Sequence, residues 1–118
     1  SWPEGTSVND LIDQAKCPVS YASVDMVIQW ARNCGVGAKM GKADIKLAFK
    51  LLPVYPDDFH LFGIKFQSKD YVDKCMPMGC SVACAVFEKF SSILKWVVRM
   101  VADSSQVLHY LDDFFLAN

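Results

Sequence analysis

The chain has 118 residues, 53% of them hydrophobic and 21% charged, with a formal net charge of −1. Such a length makes one domain or a piece of one, able to bury roughly two thirds of its unfolded surface. The apolar share excludes a disordered chain. No run of about 18 residues is free of charge, so no membrane span is expected, and the first residues lack the basic-then-apolar order of a signal peptide.

Pro3, Gly5 and Pro18 break up the first twenty residues, which read as irregular. Ser23 suits the cap of a helix from Val24 to about Cys34, with Val24, Val27, Ile28 and Ala31 on one face. Gly35-Val36-Gly37 would end it. A strand is predicted from about Lys39 to Ile45, then a short helical turn through Phe49. Pro53 and Pro56 punctuate a loop, and Asp57 suits the cap of a turn from Asp58 to Leu61. Phe62 to Phe66 and Tyr71 to Met76 read as a hairpin linked by Gln67-Ser68-Lys69-Asp70.

Pro77-Met78-Gly79 breaks the chain again before a long helix from about Val82 to Ala102. Val86, Phe90, Ile93, Leu94, Val97 and Val101 form its apolar stripe, and Glu88, Ser92, Lys95 and Arg99 its polar one. Val107 to Leu116 reads as a hairpin bending at Leu111-Asp112-Asp113. The class expected is α+β, a small antiparallel sheet with helices packed on it.

The near-neutral total hides a pattern. Residues 32–50 hold Arg32, Lys39, Lys42, Lys46 and Lys50 against Asp44 alone, while acids dominate both ends of the chain. A basic stretch around one acid can face phosphates or simply be solvated. The five cysteines, Cys17, Cys34, Cys75, Cys80 and Cys84, form no C-x-x-C pair, and only His60 and His109 could complete a zinc set. Reduced, mostly buried thiols in an intracellular protein are expected.

The last hairpin carries the chemistry. Asp112 and Asp113 sit side by side within the apolar run from His109 to Leu116. Two carboxylates about 4 Å apart repel by about 4 kcal/mol at an effective dielectric near 20, so the pair needs a cation, a proton or exposure. Asp44 ends another predicted strand, and if the two strands are neighbours three carboxylates converge. Oxygen donors of this kind suit Mg²⁺, and two such ions can clamp an in-line phosphoryl transfer. Asp57-Asp58 shows that an acidic pair alone is weak evidence.

Three ordered segments resemble the polymerase motifs of reverse transcriptases. Asp44-Ile45-Lys46-Leu47-Ala48-Phe49 followed by Leu52-Pro53 resembles motif A. Met76-Pro77-Met78-Gly79-Cys80-Ser81 with Phe87 resembles motif B, and Tyr110-Leu111-Asp112-Asp113 the YxDD box of motif C. Ser7-Val8-Asn9-Asp10 and Ser23-Val24-Asp25 resemble the segment before motif A. The form of motif B, with Phe87-Glu88-Lys89-Phe90 after it, is most similar to retrotransposons of the DIRS type.

The resemblance implies a palm-like sheet with part of the fingers: residues 1–38 as the segment before motif A, residues 39–118 as the palm core. It implies RNA-directed DNA synthesis by two Mg²⁺ ions, with Mn²⁺ an alternative, on an RNA or DNA template-primer and a dNTP. Asp44 and Asp112 would bind both ions, with the Ile45 backbone beside them, and Asp113 would complete the cluster. The backbone from Ile45 through Lys46, Leu47 and Ala48 would face the triphosphate. Phe49 would be the steric gate against a 2′-hydroxyl; a plain core aromatic is the other reading.

Pro77, Met78 and Gly79 would lie under the incoming nucleotide and template base, and Tyr110 near the primer end. Met78 departs from the Gln common in retroviral-type enzymes and cannot donate a hydrogen bond to the sugar. Further fingers strands, thumb and RNase H segments would be partners outside this chain, so no primer extension is expected from it alone. Their absence would leave apolar surface exposed and solubility poor. A non-catalytic remnant serving as a structural or interaction module is the competing expectation.

Overall fold

A computed structural model describes residues 6–102 and 106–117. Pro3 and Gly5, expected as breakers, and the charges of Glu4 and Asp103 lie outside the described residues. The class is α+β. The chain divides into two compact units, Ser1–Pro18 with Leu47–Phe87 and Val19–Lys46 with Glu88–Asn118. Seven regular elements are described: α1 (Val24–Cys34), β1 (Met40–Asp44), β2 (Gly63–Phe66), β3 (Lys69–Val72), α2 (Ala83–Val101), β4 (Val107–Tyr110) and β5 (Asp113–Ala117). No helix among the described residues is long and apolar enough to cross a membrane.

In the first unit, short 3-10 turns stand where the early segment was expected to be irregular, at Val8–Leu11 and Gln14–Lys16. Asn9 reaches far along the chain. Its Nδ2 donates to the Gly79 carbonyl at 2.8 Å, and its Oδ1 accepts from the Ser81 amide at 2.8 Å. One side chain thus fastens both ends of the turn in which Gly79 takes φ +89°. The expected cap at Asp57 is corrected: the turn runs Pro56–Phe62, its cap is Tyr55, and Asp57 lies inside the first turn. Pro56 takes the first helical position, where its fixed φ and missing N–H cost nothing.

The β2–β3 hairpin is also corrected. Its loop is Gln67-Ser68 alone, since Phe66 pairs with Lys69 and Lys65 with Asp70. Gln67 and Ser68 have φ of 47° and 61°, the doubly left-handed geometry that matches strand twist in a two-residue loop. Past the end of β3 the Asp73 amide still donates to the Phe62 carbonyl at 3.0 Å, and from Lys74 onward the chain pairs elsewhere. The Val54 amide donates to the Lys74 carbonyl at 2.9 Å, and the Met76 amide to Leu52 at 2.8 Å.

Lys50 Nζ grips both oxygens of Asp73, at 2.8 and 3.1 Å, and the Cys75 amide donates to the same carboxylate. The lysine first, and the Cys75 amide in support, outweigh burial and hold the Asp73 carboxyl below its ordinary value of 3.8. A carboxyl lowered on folding adds stability above its unfolded pKa and loses it as pH falls. Urea midpoints of the parent and Asp73→Asn chains are therefore expected to differ at neutral pH and converge as pH drops below about 3.8. A gap that persists unchanged in acid would contradict this role.

The core of this unit gathers Ala48, Val54, Cys80, Ala83, Ala85 and Phe87, and Phe87 is 0% exposed. The Phe49 ring meets Phe87 edge-on, centroids 5.4 Å apart, a favoured aromatic arrangement.

In the second unit, α1 starts and stops where expected. Ser23 Oγ accepts from the Met26 amide, and Gly35 closes the helix with φ +81°. Its inward face is corrected: Val27, Trp30, Ala31 and Cys34 are half-buried, whereas Val24 and Ile28 are exposed. The sheet is antiparallel in the order β1-β5-β4. Val107, His109 and Phe114 are buried, and the part of α2 from Glu88 onward fastens to β4 and its turn.

That fastening is polar, which corrects the predicted stripes. Glu88 Oε1 lies 2.7 Å from His109 Nε2, Ser91 Oγ donates to the Leu111 carbonyl at 2.7 Å, and Arg99 donates to the Val107 carbonyl at 3.3 Å. Ser91 is 0% exposed, while Ile93, Val97 and Val101 of the expected apolar stripe face solvent. All five cysteines are free; Cys80 is buried and the other four are half-buried.

Candidate active site

The second unit brings the acidic residues to one end of its sheet. Asp44 closes β1 and Asp113 opens β5, and the two are directly opposite in the ladder. On the other side of β5, Asp113 faces Tyr110 of β4. Asp112 lies in the two-residue turn between β4 and β5. Its carbonyl accepts from the Ile45 amide at 3.0 Å, which extends the β1–β5 pairing past the strand ends. The expected adjacency of the two strands is therefore present.

The turn takes an unusual backbone. Leu111 has φ of 51°, a left-handed conformation that costs a non-glycine residue roughly 1–2 kcal/mol. The Ser91 hydroxyl holds the carbonyl of that same residue. Just before it, His109 is 6% exposed and stacks on Phe114, with ring centroids 5.6 Å apart. The Glu88–His109 pair thus anchors β4 from within, and Glu88 Oε2 and His109 Nδ1 are buried with no hydrogen-bond partner.

Lys42 adds the cation that the carboxylates need. It lies two residues before Asp44 on β1, so both side chains leave the same face of the strand. Its ammonium sits 2.9 Å from Asp113 Oδ1 and 6.0 Å from the centre of the Phe115 ring, its partner in the ladder. The bond to Asp113 and then that carboxylate's charge hold the Lys42 ammonium above its ordinary pKa, with a smaller pull from Asp44 and Asp112.

A cavity of about 440 Å³ opens on this face, lined by Ala22, Ser23, Val24 and Val27 with Tyr110, Asp113 and Phe115. Tyr21 lies against Tyr110, ring centroids 4.9 Å apart.

The donors are hard oxygen ligands of the kind Mg²⁺ and Mn²⁺ take. The backbone sets Asp44, Asp112 and Asp113 beside one another. Even so, no three His, Cys, Asp or Glu side chains among the described residues form a group that could hold a metal ion, and Asp113 is bound to Lys42. The donor type suits a dication, while the side chains are set for an ion pair.

The other expected site residues belong to the first unit, apart from Lys46, which is exposed in the turn after β1. Leu47 is exposed and left-handed at φ 56°, Ala48 is buried, and Phe49 is half-buried against Phe87. Pro77 is half-buried, Met78 is 84% exposed, and Gly79 is held by Asn9. Sequence reasoning missed Asn9, Glu88, Ser91 and His109 as supports. Only Lys42 carried a readable signal, its two-residue spacing from Asp44 on a strand.

Comparison with known proteins gives a likeness in fold. A crystal structure of the native protease-reverse transcriptase of prototype foamy virus matches with a TM-score of 0.53 and 24% identity. The match covers 67% of this chain and 10% of the foamy virus chain. No family model matches the sequence, and no curated protein does.

Proposed function

We propose that this chain is a core segment of an RNA-directed DNA polymerase, similar to those of DIRS-type retrotransposons. The observation that carries the reading is the ladder pairing of Asp44 with Asp113, with Asp112 in the adjoining turn. The motif order and the reverse transcriptase fold of the structural neighbour support it.

In this reading Asp44 and Asp112 hold two Mg²⁺ or Mn²⁺ ions, with the Ile45 backbone beside them, and Asp113 completes the cluster. The ions would supply charge stabilisation for transfer of a nucleotide from a dNTP to a primer 3′-hydroxyl. The backbone from Ile45 to Ala48 receives the triphosphate, and Phe49 excludes a 2′-hydroxyl. Pro77, Met78 and Gly79 support the base, and Tyr110 the primer end. Template-primer, further fingers, thumb and RNase H segments are the partners of the whole enzyme, which works inside the cell.

The test is calorimetric titration of the chain with Mn²⁺ or Mg²⁺. Binding is expected, and Asp112→Asn is expected to weaken it at least tenfold, because one hard anionic ligand becomes neutral. A second reading, a non-catalytic remnant, is favoured by the Lys42–Asp113 ion pair that occupies the cluster. Absence of metal binding, or binding indifferent to Asp112→Asn, would support the remnant instead.

A further inference from the structure

We infer that Lys42 is a built-in competitor for the metal at this site, so that cation binding and the Lys42–Asp113 ion pair exclude one another. The inference rests on the proposed metal-binding role of Asp44, Asp112 and Asp113. It starts from the conflict between chemistry and arrangement: three carboxylates on adjacent backbone form no ligand group, and one of them is held by an ammonium at 2.9 Å.

The geometry makes Lys42 a movable counter-ion. Its side chain is 57% exposed, so it can swing into water at little cost in packing. β1 fixes its origin on the same face as Asp44, and the ladder sets it opposite Phe115, two residues along from Asp113. The ring below the ammonium offers a second weak attraction through its face. With the ammonium in place, repulsion among the acids is relieved and the turn can rest without a metal. A dication entering the cluster must displace that charge.

A single charge close to a dication, at a solvent-like dielectric, changes affinity by about tenfold. Acting through Asp113, Lys42 is a positioning residue that sets metal affinity. It has no part in bond making.

The test reads free Mn²⁺ by its electron paramagnetic resonance signal during titration of the 118-residue chain. Four chains are compared: parent, Lys42→Met, Lys42→Arg and Lys39→Met. Lys42→Met is expected to bind Mn²⁺ about tenfold more tightly. Lys42→Arg, which keeps the charge, and Lys39→Met, which removes a charge outside β1, are expected to stay near the parent.

Unchanged or weaker binding by Lys42→Met overturns the inference while leaving the metal site intact. Equal tightening by Lys39→Met overturns it too, since net charge alone would then explain the result. No Mn²⁺ binding by any of the four overturns both the inference and the reading beneath it. A Lys42→Gln chain repeats the measurement with a polar side chain, in case the methionine disturbs folding.

Discussion

Phe87→Ala is expected to lower the unfolding free energy by about 3–5 kcal/mol, the usual cost of deleting a buried phenylalanine ring. Phe87 is fully buried, and its loss leaves the Phe49 ring facing a void. Domains of this size hold only about 5–15 kcal/mol in all. Ile93→Ala, less than two turns further along α2, is expected to cost less than about 1 kcal/mol, because Ile93 is exposed. Urea unfolding followed by tryptophan fluorescence compares the two. Equal costs would mean that α2 turns a different face inward.

Glu88→Ala is expected to cost about 1.5–3 kcal/mol, the range for losing a hydrogen bond that involves a charged group. The change strips His109 Nε2 of its hydrogen-bond partner in a site where Nδ1 is already without one. Repair by water is poor because the imidazole is almost wholly buried. Glu88→Gln keeps an acceptor oxygen and is expected to recover part of the loss. Amide hydrogen exchange localises the effect: β4 and β5 should lose protection in Glu88→Ala while β2 and β3 keep theirs. Uniform loss across both hairpins, or no loss in β4, would contradict an anchoring role for this pair.

Local chemistry was legible wherever a residue acts on its near neighbours. Ser23 and Gly35 bound α1 as expected, because capping and left-handed closure need only the adjacent turn. The final hairpin was legible for a similar reason, since apolar residues flank the Leu111-Asp112 bend on both sides. The turn at Gln67-Ser68 was not, since neither residue announces a left-handed backbone as Gly or Asn would.

The inward face of α2 was misread because hydropathy weighs side chains one at a time. Val86, Phe90, Ile93 and Val97 give the stronger apolar stripe, yet full burial falls on Phe87 and on Ser91. A serine is buried there because the Leu111 carbonyl, aimed out of a left-handed turn, needs a donor. The other supports join residues far apart in sequence: Glu88 and His109 are 21 residues apart, Asn9 and Gly79 are 70. No periodicity reports such pairs. The adjacency of the Asp44 and Asp113 strands was legible, while the Lys42–Asp113 ion pair needed the ladder register in addition to the spacing of Lys42 from Asp44.

The central claim, that Asp44, Asp112 and Asp113 form a dication site, is tested most directly by anomalous diffraction from crystals of the chain soaked in Mn²⁺. An anomalous peak at the β1–β5 end of the sheet is expected, with Asp44 and Asp112 as ligands and the Lys42 ammonium moved off Asp113. A map with no peak there, or with Mn²⁺ only at another acidic pair such as Asp57 and Asp58, would contradict the account.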